Sequence, residues 1–506
     1  MTRGYALAKR PKSKAQTQVG EPGHGVLVRA ANGDVIRYDQ SGLIMRLSDK
    51  VIRDIALRLG HAGPASVEET SHAAVNRADP HDQLEGIDAW DLRVDGDWLI
   101  FSAHLPGKQG VRTFRRAVEG GEIIADTPGP LIGILGIGGA RAAHARDGAA
   151  DFPQHVLAPA DDIGAVGHAG VDRGTSTGAL EHLREMTHEA LVADTFLSWQ
   201  MEKHAPLPLF LTRVETDTSA TTAALASGPA FENLLIGVDN LKRAAAALGK
   251  TAKILAISVD FALEDMSGSA TAYRDGMLEL MRKVEEELRA RAIDRPVFVF
   301  RFESGSAEIT QTPAIEGQWE LVWNHGEHQV LFSAPGYMFA YDEYDRPTPE
   351  AQQQMAEMTA AALAEPDIWQ CPTFYLAERD PKNDKTVRVV ARAAGPLSID
   401  PDDPMAAGKL AGFSMTGATN GAKITKISVD PEDPQALVLH LDKHPTGDGI
   451  QIRYAYGAEP RNGPYPANCG AVRDNWQMTS ATGRNLHRWA LPCILPLQNG
   501  GGTPDA

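Results

Sequence analysis

The sequence predicts an α/β fold. A mainly parallel sheet carries helices on both faces, a β-rich domain precedes it, and a β-sandwich follows it. Three observations point there. Between residues 151 and 393, short apolar runs alternate with segments of helical period. After Pro396 the chain turns to short alternating strands, separated by Asn420-Gly421, Pro431 to Pro434 and Gly447-Asp448-Gly449. Before residue 150, hairpin signals recur at Asn32-Gly33-Asp34, Asp95-Gly96-Asp97 and Gly120-Gly121. A chain of 506 residues exceeds one ordinary core. Four parts are expected: a basic arm over 1–22, a β-rich domain over 23–150, an α/β domain over 151–393 and a sandwich over 394–506.

Taken in order, the arm holds Arg3, Lys9, Arg10, Lys12 and Lys14 before the first acid, Glu21. It reads as a disordered terminus or as an attachment segment that orders on a larger partner. Strand, turn and strand follow in GVLVRAANGDVIRYD, and a helix is expected from Ser48 to Leu59 with Ser48 as its N-cap. The run PLIGILGIGGARAAHA, Pro130 to Ala145, has glycines after an apolar stretch but lacks the spacing of a dinucleotide-binding turn. It reads as a connector between domains.

The α/β region opens with a short strand at His155–Ala158, then a helix over Thr187–Lys203 and a strand over Pro206–Val214. From Phe231, Leu234, Leu235, Val238, Leu241, Ala245 and Leu248 recur at helical spacing, and Gly249 is a C-cap candidate. Ile254–Val259 is a short, nearly uncharged run, as expected of a strand covered on both faces. The loop from Asp260 to Ala270 then lies at the carboxyl end of that strand, where open α/β sheets place their ligands. Helix AYRDGMLELMRKVEEELRA, a strand over Arg295–Arg301 and a helix over Thr348–Ala364 complete the alternation, the last with Thr348 as N-cap and Pro349 in its first turn.

A net charge of −17 argues against a general nucleic-acid binder. The N-terminus lacks an apolar core for a secretory signal, and no run of about 18 apolar residues suggests a membrane span. The three cysteines, Cys371, Cys469 and Cys493, lack CxxC spacing, and a Cys469–Cys493 bridge stands beside the reading of small buried residues. His325-Gly-Glu-His328 has no third ligand in view and reads as loop histidines rather than a metal site. No metal and no cofactor is expected. Trp319, Trp323, Phe339, Tyr341 and Tyr344 read equally as sugar-stacking platforms or as core anchors.

Residues 183–490 resemble the phage-type sialate O-acetylesterase branch of the SGNH/GDSL hydrolases. The resemblance rests on the order of several blocks. These are Lys242 to Lys250, Ile254 to Val259, Asp265 with Gly268-Ser269, and Tyr273, Leu278 and Leu280. Pro396-Leu-Ser-Ile-Asp400, Gly412-Phe413, Arg453-Tyr-Ala455, Arg473-Asp474 and Trp489 continue it. It implies a three-layer SGNH-like parallel sheet domain, and carbohydrate as the substrate class.

The catalytic blocks of that family find no match. Its nucleophile is a serine in a turn after the first strand. With His155–Ala158 as that strand, the turn reads Ala160-Asp161-Asp162-Ile163. The oxyanion blocks fall near Asp217, where an anion would oppose the charge such a hole stabilises. The Gln-Gly-Glu-x-Asp loop keeps only Asp265, and the closing histidine falls on Asp345 or Arg346. Without a serine and its general base the acyl-enzyme route is closed. No catalytic residue is therefore assigned, and Asp162, Asp217, Asp265, Asp345 and Arg346 are the expected ligand-binding residues.

The expectation is a non-enzymatic, oligomeric spike or fibre protein on the surface of a phage-like particle. It would bind cell-surface polysaccharide and attach through its arm to capsid or other particle proteins. The alternative is an active carbohydrate O-acetylesterase with an atypical nucleophile. Ser176 would serve, because Gly174-Thr-Ser176-Thr-Gly178 fits GxSxG with a helix expected over Ala179–Met186. A purely structural particle protein is the third reading.

Overall fold

A computed structural model describes the strands within 25–45, residue 84, and residues 86–168, 176–262 and 268–499. The helix expected over Ser48–Leu59, Asp265 and the anchoring arm lie outside the described residues. Two compact units are present, 1–78 and 79–506. In the first, β1 (Gly25–Ala30), β2 (Gly33–Asp39) and β3 (Gly42–Met45) form an antiparallel meander, with Ala30 paired to Gly33.

The second unit opens with a four-stranded antiparallel sheet: β4 (Ala89–Asp95), β5 (Trp98–His104), β6 (Val111–Ala117) and β7 (Ile124–Ala125). Then comes the sheet that organises the protein. Its strands are β8 (Leu131–Gly138), β10 (Val156–Pro159), β11 (Val166–His168), β12 (Leu180–His182), β14 (Leu209–Thr216), β15 (Ala252–Asp260), β16 (Val297–Phe302) and β17 (Val330–Pro335). The order is β12-β10-β14-β8-β15-β16-β17, with β11 also on β14. All pairings are parallel except β10 with β12. Short β9 (Arg146–Asp147) and β13 (Glu185–Met186) pair separately.

Two sequence expectations are corrected here. Pro130–Ala145 is not a connector, because β8 is the first parallel strand and lies between β14 and β15. The boundary expected at residue 150 therefore falls inside the α/β sheet. The cause of the misreading is visible in the packing. A Cβ on Gly133 would come within 2.9 Å of Leu241 Cδ2, and one on Gly136 within 2.3 Å of Glu189 Oε1. The glycines permit close approach in a buried strand; they do not mark turns. Positions 133 and 136 face opposite ways along a strand, so helices cover both faces of the sheet.

The helices are α1 (His188–Glu202), α2 (Thr222–Leu225), α3 (Pro229–Ala247), α4 (Ala270–Ala290), α5 (Pro313–Trp323) and α6 (Pro349–Ala364). Their starts follow the caps: Thr187 accepts from Ala190 N, Ser269 from Ala272 N, Thr312 from Ile315 N and Thr348 from Ala351 N. Gly249 closes α3 at φ +67°. In α4, Tyr273, Met277, Leu280, Met281, Val284 and Leu288 are buried on one stripe. Helices α1 and α6 pack on each other. No helix among the described residues is long and apolar enough to cross a membrane.

The C-terminal part begins earlier than residue 394. Strands β18 (Thr373–Asp380) and β19 (Asn383–Arg392) belong to a seven-stranded sheet with β21 (Phe413–Thr416), β22 (Ile424–Val429), β23 (Ala436–Leu441), β24 (Gln451–Tyr454) and β27 (Cys493–Gln498). A three-stranded sheet of β20 (Ser398–Ile399), β25 (Val472–Thr479) and β26 (Asn485–Trp489) accompanies it. This all-β part is tied to the α/β part by buried polar contacts. Tyr337 donates to Ala490 O at 2.6 Å, and Asn468 donates to Ser304 O at 3.1 Å and Thr310 O at 2.8 Å. Cys371, Cys469 and Cys493 are all buried free thiols, so the Cys469–Cys493 bridge is not formed.

Candidate functional site at the carboxyl edge of the sheet

In a doubly wound sheet, ligands bind outside the carboxyl ends of the strands, where the direction of strand addition reverses. Here β8 is flanked by β14 on one side and β15 on the other, so the reversal lies beside the ends of β8 and β15. Gly138 is paired with Asp260 across these ends, and Gly139 N donates to Asp260 O at 3.0 Å. The turn beyond β8 reads Gly138-Gly139-Ala140-Arg141.

Arg141 anchors the crevice. Its guanidinium pairs with Glu303 at 3.0 Å, just past the end of β16, and lies 5.9 Å from the centre of the Tyr341 ring. Glu303 is 5% exposed and also accepts from Ser304 N and Gly305 N, at 2.9 and 2.6 Å. A second pair joins Arg301 to Asp260 at 2.6 Å. Burial pulls both guanidinium pKa values down, but the acidic partners outweigh it and hold both arginines charged.

Beneath these pairs, between the sheet and helices α1 and α6, is a chamber of about 50 Å³. His144, His188, Glu189, Ser258, Ser333, Gln352 and Thr359 supply its polar wall. Burial pushes the pKa of His188 down to about 4. Burial also lowers that of His144, with Arg301 and Arg141 adding to it and Asp260 opposing. Burial raises the pKa of Glu189, against a hydrogen bond from Ser258. The three groups are thus biased to their neutral forms. Neither chamber serine bonds to a histidine: Ser258 donates to Glu189, and Ser333 Oγ to Phe300 O at 3.3 Å. His188 Nε2 lies 3.1 Å from Thr359 Oγ1.

Arg141 also forms part of the wall of an open cleft of about 520 Å³. Ser306, Glu308, Tyr341, Asp345, Asn462 and Tyr465 line that cleft, at the junction with the all-β part. Among the described residues, no group of three or more His, Cys, Asp or Glu is arranged to hold a metal ion.

The four described residues of the five expected from sequence do not form one site. Asp162 is exposed in the turn after β10 at φ +65°, while its neighbour Asp161 is buried against Arg213 at 3.1 Å. Asp217 turns back into its own loop, accepting from Ser219 N at 2.9 Å and Ser219 Oγ at 2.7 Å. Arg346 is held by Asp342 at 2.9 Å and lies over the exposed ring of Tyr344. Only Asp345 borders the cleft, at φ +57°. Their grouping assumes that His155–Ala158 is the first strand of the sheet. With β8 as the first strand, that premise falls.

Two further motifs resolve as structure. His328 Nδ1 pairs with buried Glu285 at 2.9 Å, and His325 Nδ1 lies 3.0 Å from His328 O. Ser176 is exposed, and strands β12 and β13 follow it where a GxSxG elbow requires a helix.

The positions of this candidate site that sequence reading missed are Arg141, His144, His188, Glu189, Ser258, Asp260, Arg301 and Glu303. Asp260 alone carried a signal, as the last residue of a buried strand. The others are brought together from elements far apart in the chain.

The class these features define is a doubly wound α/β protein with a polar crevice at its switch point. No family model matches the chain, and no curated protein matches it. Among solved structures, the chain is similar to a carbohydrate acetylesterase from Xanthomonas citri, with 12% sequence identity and a TM-score of 0.43. That match covers 76% of this chain and 85% of the other. A protein from Arabidopsis thaliana matches at 12% identity and a TM-score of 0.33, over 47% of this chain and 99% of that one.

Proposed function

We propose that the chain is a carbohydrate-binding protein on an SGNH-like scaffold that does not cleave esters. One observation carries the reading. The turn after the first strand of the sheet presents Ala140, where the SGNH/GDSL hydrolases place the nucleophilic serine. A methyl group offers no lone pair for acyl transfer. The neighbouring cleft offers Tyr341 and Tyr465 as flat apolar surfaces, with Asp345 and Asn462 as hydrogen-bonding groups. That combination suits a sugar chain.

The protein would act as a spike or fibre on the surface of a phage-like particle and recognise cell-surface polysaccharide. Its basic N-terminal arm would attach to capsid or other particle proteins. Weak single sites would be raised in avidity by homo-oligomerisation. This setting rests on the family resemblance of the sequence.

The test is a glycan array probed with the full chain, run beside a chromogenic acetyl-ester assay. Binding to capsular polysaccharide, weakened by Tyr465→Ala, with no ester turnover is the expected result. Ester turnover lost in Ser176→Ala would replace this reading with the esterase alternative. Absence of glycan binding would leave the purely structural one.

A further inference from the structure

Three residues that line the chamber beneath Arg141 each carry a buried polar atom without a hydrogen-bond partner: His144 Nδ1, Glu189 Oε2 and Gln352 Oε1. They come from three separate elements: the loop after β8, the first turn of α1 and the first turn of α6. Glu189 is 2% exposed, and its other oxygen is already held by Ser258. A buried polar atom left unpaired costs free energy, and natural cores rarely leave one without a reason. Three on residues that line one small space call for a common occupant. Gly136 lets the Glu189 carboxylate sit against the strand, since a Cβ there would collide with Glu189 Oε1 and approach Ser258 Oγ to 2.8 Å. Leu191, Val259, Val299, Phe339 and Met355 give the chamber apolar walls.

The charges decide what the occupant is. Both arginines at the chamber are neutralised by a carboxylate of their own, Arg141 by Glu303 and Arg301 by Asp260. An incoming ion would find no free countercharge and would lose its hydration. An uncharged hydroxyl both donates and accepts, so it can satisfy a carbonyl oxygen, a carboxyl group and an imidazole nitrogen together.

We propose that this chamber binds a small uncharged hydroxylated group, such as the hydroxymethyl end of a hexose or polyol, held by His144, Glu189 and Gln352. The inference rests on the carbohydrate reading only for the larger ligand to which such a group would belong. Within that reading it assigns neutral rather than acidic sugars.

The probes are glycerol, galactose and galacturonate, each followed by saturation-transfer NMR on the full chain. The variants are Gln352→Met and His144→Phe, with thermal unfolding as the check that each still folds. Glycerol and galactose are expected to bind, and galacturonate more weakly than galactose. Each variant should weaken binding about tenfold, the loss of one buried hydrogen bond. Galacturonate binding as tightly as galactose, variants that bind like the wild type, or no signal from any probe would each overturn the proposal. The last outcome would leave ordered water as the occupant. Polysaccharide binding on the array that is unchanged in both variants would sink the chamber site and keep the carbohydrate reading. Glycerol and galactose binding lost in both variants, without any polysaccharide binding, would do the reverse.

Discussion

Arg213→Met tests whether the acidic turn after β10 is a piece of the core or a piece of a site. Arg213 is 2% exposed. Its Nη1 donates to Asp161 Oδ1 at 3.1 Å, Asp161 Oδ2 at 3.2 Å and Gly164 O at 2.9 Å, and its Nε to Glu215 Oε1 at 2.9 Å. Asp161 and Glu215 are themselves buried. Methionine matches the stem of the arginine but not its charge, so two buried carboxylates lose their countercharge and a carbonyl loses its donor together. Removing one member of a buried ion pair costs about 3–5 kcal/mol. With a urea dependence of roughly 3 kcal/mol per molar, the midpoint should fall by about 1 M or more. Urea unfolding at pH 7, followed by tryptophan fluorescence, measures it. A loss below about 1 kcal/mol would refute the reasoning. So would a variant of unchanged stability that binds glycan less well, since Asp161 would then belong to a binding surface.

Acid should destabilise the α/β unit through its buried histidines. His155 is 1% exposed, and burial drives its pKa down to about 4, against the hydrogen bond with Pro208 O. The unfolded chain protonates near pH 6.5 and the folded one does not, so stability is complete above that value and falls as pH drops toward 4. The shift corresponds to about 3 kcal/mol across the window. His155→Gln should flatten the pH dependence of thermal unfolding by about that amount, and curves parallel to the wild type would contradict it. Gly136→Ala should lower thermal stability by roughly 1–3 kcal/mol, because its Cβ would meet Glu189 Oε1, Ser258 Oγ and Val214 Cγ2 within 2.8 Å. A variant as stable as the wild type would mean that the strand and α1 can part without loss.

Much of the local structure was legible from residue types alone. Thr348 caps α6 as expected, the helix expected from Thr187 begins there with Thr187 as its cap, and Gly249 ends α3 in the left-handed conformation. Strands β15 and β16 fall on their apolar runs. These features depend on hydrogen bonds and side-chain contacts within a few residues, so their signals are written next to one another in the chain.

What only the tertiary structure decided is which strand lies at the centre and which charges meet. Strand β8 is rich in glycine because Leu241 and Glu189 press against it from opposite faces, and neither neighbour is visible at positions 133 or 136 in the sequence. Misplacing that strand put the turn after the first strand at Asp161-Asp162 rather than at Gly139-Ala140-Arg141, and the grouping of the acidic residues follows from that. Arg141 finds Glu303 across 162 residues, and Arg213 finds Asp161 across 52. Such pairings follow from strand order. Strand order is set by how the whole set of apolar faces can be buried at once, which no local pattern records.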